Sequence, residues 1–110
     1  MQITMFVFAK KGRSGTASLR KKIGDKLRSR DYYGLRVESY KKKGRPGGWM
    51  KVKAKDCDGA LNIEWDPGCR ILIVRAVART KDPYLLLSIF LQYLLENHRK
   101  SIQNMSIQMP

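Results

Sequence analysis

Acidic side chains are scarce in this chain, nine Asp and Glu against 23 Lys and Arg in 110 residues. Residues that carry catalysis are scarcer still. His98 is the single histidine, so neither a histidine pair nor a Ser-His-Asp triad can be assembled without it. Its place beside Arg99 and Lys100 reads as the last turn of a helix, where the dipole favours a cation. The two cysteines, Cys57 and Cys69, do not form with His98 the close ligand spacing of a zinc site, and Asp56 and Asp58 beside Cys57 suit a turn. Neither a metal nor a cofactor is expected.

If Gly59 to Pro67 is a strand with its turn, the cysteines sit at opposite ends of it, roughly 25 to 30 Å apart at about 3.3 Å per residue. A disulfide needs Cα atoms within about 7 Å, so free thiols and a reducing cytosol are expected. Long apolar runs are also missing. The longest, near Tyr84 to Leu95, is broken by Ser88 and Gln92, and no charged stretch followed by an apolar run and a cleavage site opens the chain. Neither a membrane span nor a signal peptide is expected, and the location expected is cytoplasmic. The Walker spacing is absent too, because two residues separate Gly12 from Gly15 and no lysine precedes Thr16, which argues against an ATP site.

What the chain does have is positive charge, and it is unevenly placed. Residues 1–55 hold 17 Lys and Arg against Asp25, Asp31 and Glu38, a net +14; residues 56–110 hold six cations and six acids, a net of zero. An excess confined to one half, with an isoelectric point near 10.2, is the electrostatic footprint expected for nucleic acid or an anionic surface. A solvated face is the plain alternative. At 12.7 kDa and 43% apolar content the chain fits one domain, residues 1–110, with a real core.

Taken in order, Ile3 to Ala9 is apolar on both parities and reads as an interior strand covered on both faces or nearly so. Thr16 or Ser14 can cap a helix running to about Arg30, in which Leu19, Ile23 and Leu27 form a narrow apolar stripe. Gly34 is available for a left-handed turn. Two alternating segments follow within Leu35 to Lys55, and then Ala60 to Asp66, where Leu61, Ile63 and Trp65 should face the core. Asp66 to Cys69 reads as a tight turn with Gly68 free to take positive φ. Arg70 to Thr80 reads as the central strand. Asp82 and Pro83 mark a helix start, the helix extends to about Lys100, and Ile102 to Met109 closes with a strand whose Met105, Ile107 and Met109 share a face. The order β-α-β-β-β-β-α-β predicts an α+β two-layer sandwich, a mainly antiparallel sheet with two helices on one face.

Leu35 to Lys55 reads as a basic hairpin. Leu35, Val37, Met50, Val52 and Ala54 would form an apolar face, while Arg36, Tyr40, Lys42, Trp49, Lys51, Lys53 and Lys55 would form a solvent-facing one, diluted only by Glu38. Cations neutralise phosphates and aromatics stack on bases, so phosphate contacts are expected from Arg13, Arg36, Lys41, Lys42, Lys43, Arg45, Lys51 and Lys53, with Trp49 and Tyr40 stacking. At the tip, Lys43-Gly44-Arg45-Pro46 resembles the core of the AT-hook, Arg-Gly-Arg-Pro, with lysine in place of the first arginine. The resemblance implies insertion into the narrow minor groove of A·T-rich DNA. A plain Gly/Pro hairpin turn stands beside it.

In the helix Pro83 to Lys100, apolar residues from Leu86 to Leu95 span roughly 240° against about 100° for a helix on one sheet, so a homodimer through this helix is expected. The function expected is a nucleic-acid-binding protein using the basic hairpin and the adjoining helix face. Two alternatives stay open. One is an oligomeric protein that binds a partner or a small anion; the other is a small metal-independent ribonuclease using Tyr32, Tyr33 and Tyr40.

Overall fold

The strands alternate, the helices carry one apolar stripe each, and the stripes meet one parity of the strands. The computed structural model describes residues 2–7, 18–41, 43–44, 48–77 and 84–108. Over these the elements are β1 (Gln2–Val7), α1 (Leu19–Ser29), β2 (Leu35–Ser39), β3 (Trp49–Ala54), β4 (Ala60–Asp66), β5 (Ile71–Val77), α2 (Tyr84–Asn97), a 3-10 turn (Arg99–Ser101) and β6 (Ile102–Gln108). This is the expected α+β order. All strand pairs are antiparallel, in the spatial order β2-β3-β4-β5-β1-β6. Counting the antiparallel steps, β1 runs parallel to β2 and β5 parallel to β6. Each helix therefore carries the chain between parallel strands that are not neighbours, the connection a hairpin cannot make.

One core fills the space between helices and sheet. Ile3, Met5, Val52, Ile63, Leu72 and Val74 face Leu19, Ile23, Leu27, Leu86, Phe90 and Leu94. Among the described residues the other sheet face has no helix on it, which corrects the expectation that β1 is covered on both sides. Ile3, Met5 and Val7 are buried, whereas Phe6 is 42% exposed on the open face. β5 does hold a central place between β4 and β1; residues 78–80 lie outside the described part.

Local chemistry shifts several expected boundaries. α1 is capped by Ser18, whose Oγ accepts from the Lys21 amide at 2.9 Å, rather than by Thr16 or Ser14, which lie outside the described residues. An N-cap oxygen must reach the third amide of the helix, and the helix starts at Leu19. Gly34 does take the left-handed conformation, at φ 76°. In the β4–β5 turn the positive φ falls on Arg70, at 56°, and not on Gly68; there the Asp66 carboxylate accepts from the Gly68 and Cys69 amides at 2.9 and 3.2 Å and sets the turn. Cys57 and Cys69 are free thiols.

α2 ends at Asn97 instead of continuing to Lys100. His98 leaves helical geometry at φ −130° and ψ 9° and turns inward. Its ring is buried, with Nε2 2.7 Å from the Tyr93 hydroxyl. It is therefore no solvent-facing cation at a helix end. Burial, then the charges of Lys26 and Lys22, hold its pKa down to about 4, so the imidazole is neutral at pH 7. The start expected at Asp82 and Pro83 falls outside the described residues. Of the apolar arc on α2, Leu86, Leu87, Phe90, Tyr93 and Leu94 are buried, Ile89 and Leu91 are half-buried against the core, and Leu95 is exposed. The chain covers most of that arc itself.

Candidate nucleic-acid interface

A register shift between Val37 and Ser39 decides what the ribbon presents. Leu35 pairs with Ala54 and Val37 with Val52, but Ser39 pairs with Lys51, so one extra residue enters β2 opposite a single position of β3. Such a bulge reverses the side-chain alternation beyond it. Arg36 and Glu38 stay on the open face with Lys51 and Lys53, while Tyr40 swings under α1. The Tyr40 ring lies 4.3 Å from the Arg28 guanidinium and 5.2 Å from that of Arg20, and its hydroxyl occupies the space a side chain at Gly24 would need. The ring is packed against α1 with two guanidiniums over it, so Tyr40 is not in the lysine row.

Trp49 keeps the expected parity but not the expected exposure. It is opposite Glu64 on the open side and stands outside the main core, yet it is 1% exposed. Its Nε1 donates to Asn62 Oδ1 at 3.2 Å. A buried indole with a satisfied N–H is an anchor of the ribbon rather than a stacking platform. Just before it, the Gly48 carbonyl accepts from the Trp65 amide at 3.1 Å, and a Cβ at Gly48 would stand 2.7 Å from the Trp65 carbonyl oxygen. Glycine is required there by close approach. Trp65 packs against the core as expected.

The remaining cations occupy two surfaces that meet at the β2 edge. On the open face, Glu38 lies 3.3 Å from Lys53 and 3.7 Å from Lys51. Partial desolvation raises the Glu38 pKa most, but the Lys53 hydrogen bond and the charges of Lys53, Lys51 and Arg36 together outweigh it and hold the carboxyl below its ordinary value. Lys51 and Lys53 are half-buried and Arg36 is exposed. At the tip Lys41 and Lys43 are exposed; Arg13, Lys42 and Arg45, and with Arg45 and Pro46 half of the AT-hook-like segment, lie outside the described residues. On the helix side α1 presents Lys21 and Arg28, and Arg30 just past its end is exposed as well.

The sheet adds groups that reading the ribbon alone missed. The register aligns Ser39, Lys51, Asn62, Arg75, Gln2 and Gln108 in one polar band across all six strands of the open face. Arg75 Nε donates to Gln2 Oε1 at 3.0 Å, and its guanidinium is 3.6 Å from Glu64. Beside the band a depression of about 490 Å³ is lined by Lys51, Lys53, Asp58, Gly59, Ala60, Asn62 and Val77. The polar parity of β4 was readable, but the strand order that joins it to the lysines was not.

The tyrosines expected for ribonuclease chemistry do not converge. Tyr32 packs edge-on against Tyr93 at 5.2 Å, Tyr33 donates to the Glu96 carboxylate, and Tyr40 lies under Arg20 and Arg28. The hydrogen bond to Glu96, desolvation and the Glu96 charge raise the Tyr33 pKa, opposite to what a tyrosinate base requires. Among the described residues no cluster of His, Cys, Asp and Glu could hold a metal ion, and no described helix is long and apolar enough to cross a membrane. No protein-family model, curated protein or solved structure matches this chain.

Proposed function

We propose that this protein binds nucleic acid through the phosphate backbone, using the β2–β3 edge of its sheet and the adjoining face of α1. The observation that carries the reading is the placement of charge: among the described residues from 18 to 55, twelve Lys and Arg stand against Asp25, Asp31 and Glu38, and they lie on α1, the β2–β3 ribbon and the turns that join them. Arg36, Lys41, Lys43, Lys51 and Lys53 contact phosphates. Asn62 and Arg75 continue the path across the open face with neutral and charged donors. Trp49 and Tyr40 hold the ribbon in shape and do not stack on bases.

Five cations offset by Glu38 neutralise about four phosphates, which gives log affinity against log salt a slope of about −3.6 on duplex DNA. Fluorescence anisotropy of labelled duplex and single-stranded DNA and RNA over a salt series measures it. Lys51→Ala with Lys53→Ala should flatten the slope by about one to two. A wild-type slope near zero, or a double variant indistinguishable from wild type, would overturn the assignment.

A further inference from the structure

The two edges of the sheet are built differently. β2 is five residues long, bulged, and carries Arg36 and Glu38, the devices by which a sheet edge resists pairing with another chain. β6 at the far edge is longer, carries no charge, and is regular past its first residues. Its seven residues, Ile102 to Gln108, contain no charge and no proline, and among the described residues it pairs with β1 alone. Its one irregularity lies at its start, where Phe6 pairs with Asn104 and Val7 with Ile102. From Asn104 to Gln108 the strand is regular and mostly exposed, with Ile107 at 48%.

We infer that β6 pairs with β6 of a second copy of this chain, antiparallel about a twofold axis at Ser106, to make a continuous twelve-stranded sheet. The occupant is argued from self-complementarity. A twofold axis normal to the sheet pairs residues of equal parity on the same face. Centred on Ser106, it sets Met105 against the partner's Ile107 on the helix side. On the open side it sets Asn104 against the partner's Gln108, and Ser106 against the partner's Ser106. Met105 and Ile107 lie on the helix side because they pair with Met5 and Ile3, both buried in the core. Apolar thus meets apolar and polar meets polar on both faces. An axis at Met105 would instead set Ile107 against Gln103, the residue skipped at the irregularity.

Charge points the same way. β2 stands five strand spacings from β6, about 24 Å, well beyond the Debye length of about 8 Å at physiological salt. The basic edges of two copies joined at β6 lie farther apart still, so their repulsion does not oppose this contact.

Cross-linking tests the register. In a chain carrying Cys57→Ser and Cys69→Ser, Ser106→Cys places two thiols directly opposite. Facing Cα atoms in an antiparallel pair are about 4.5 to 5.5 Å apart, inside the range a disulfide spans. Oxidation should give a nearly complete covalent dimer. Asn104→Cys alone should form no covalent dimer, while a mixture of the Asn104→Cys and Gln108→Cys chains should cross-link. Sedimentation equilibrium of the unaltered chain, from about 1 to about 100 µM, should show mass rising from 12.7 kDa towards twice that, as a self-associating chain must. Ile107→Lys should remain monomeric with an unchanged circular dichroism spectrum. A constant monomer mass, equal cross-linking by Asn104→Cys and Ser106→Cys, or a dimer that persists in Ile107→Lys would each overturn the inference.

Discussion

Glu38 is the acid that limits the basic ribbon, and removing its charge separates a phosphate-binding surface from a merely solvated one. In Glu38→Gln the side chain keeps its size while Lys51 and Lys53, 3.7 and 3.3 Å away, lose their shared counter-ion. The fold should be indifferent. These side chains are about a third exposed, and ion pairs at such sites contribute at most about 1 kcal/mol. Binding should respond. A carboxylate about 7 Å from two bound phosphates opposes each by about 0.6 kcal/mol at the dielectric of water, and salt near 0.1 M screens that by roughly half. The net relief of about 0.6 kcal/mol corresponds to about threefold tighter binding. With one more phosphate neutralised, the salt slope should steepen from about −3.6 to about −4.5. Anisotropy titrations of both proteins at four or more salt concentrations measure affinity and slope together. Unchanged affinity and slope in Glu38→Gln would show that the lysine row does not meet phosphate, whatever the rest of the surface does.

Trp49→Ala should act on stability rather than on contact with bases, costing about 3 to 5 kcal/mol as a buried Trp truncation; urea denaturation reads it, and a stable variant with selectively weakened single-strand binding would contradict the burial argument. Stability should also fall as pH drops from 6.5 to about 4, because His98 is held down to about 4 when folded against 6.5 as its ordinary value. The unfolded chain then binds the extra proton across that window, so the contribution is fully present above pH 6.5 and is lost as pH falls. It amounts to about 3 kcal/mol, and His98→Gln should remove most of this slope from denaturation curves taken between pH 4 and 7.

Much of the strand and helix order was legible because several elements declare a period: 61, 63 and 65 against 62 and 64 in β4, and Leu19, Ile23 and Leu27 in α1. Periodicity gives a direction for each side chain and no more. For Trp49 the direction was right, away from the main core, but direction does not say what lies on top, and the partner of the indole is Asn62 from another strand. For Tyr40 even the direction failed, because a single inserted residue near Glu38 reverses the alternation over the end of β2. At Gly48 the requirement for glycine comes from the Trp65 carbonyl 17 positions later, which no local pattern announces. His98 failed for a related reason. A position in the last turn predicts a dipole-favoured cation, and burial of the ring, followed by the charges of Lys26 and Lys22, supplies a stronger reason to stay neutral.

The cations of the basic half fall into two groups that mutation should treat differently. Lys41 and Lys43 at the tip stand in solvent, and the ammonium groups of Lys51 and Lys53 reach no partner in the core; their stems lie along the open face while the charge stays outside. Arg20 and Arg28 instead sit over the Tyr40 ring, and Arg20 Nε is buried without a hydrogen-bond partner among the described residues, so that guanidinium is held by the ring and by packing. Cation–π contacts of this kind contribute about 0.5 to 2 kcal/mol each, and Gly24 must stay without a side chain for the ring to lie there. Loss of α1 arginines therefore loosens β2 from α1 at the same time as it removes charge, and a binding defect in those variants has two causes. The ribbon lysines carry charge with little packing, which makes them the positions where binding can be read apart from folding.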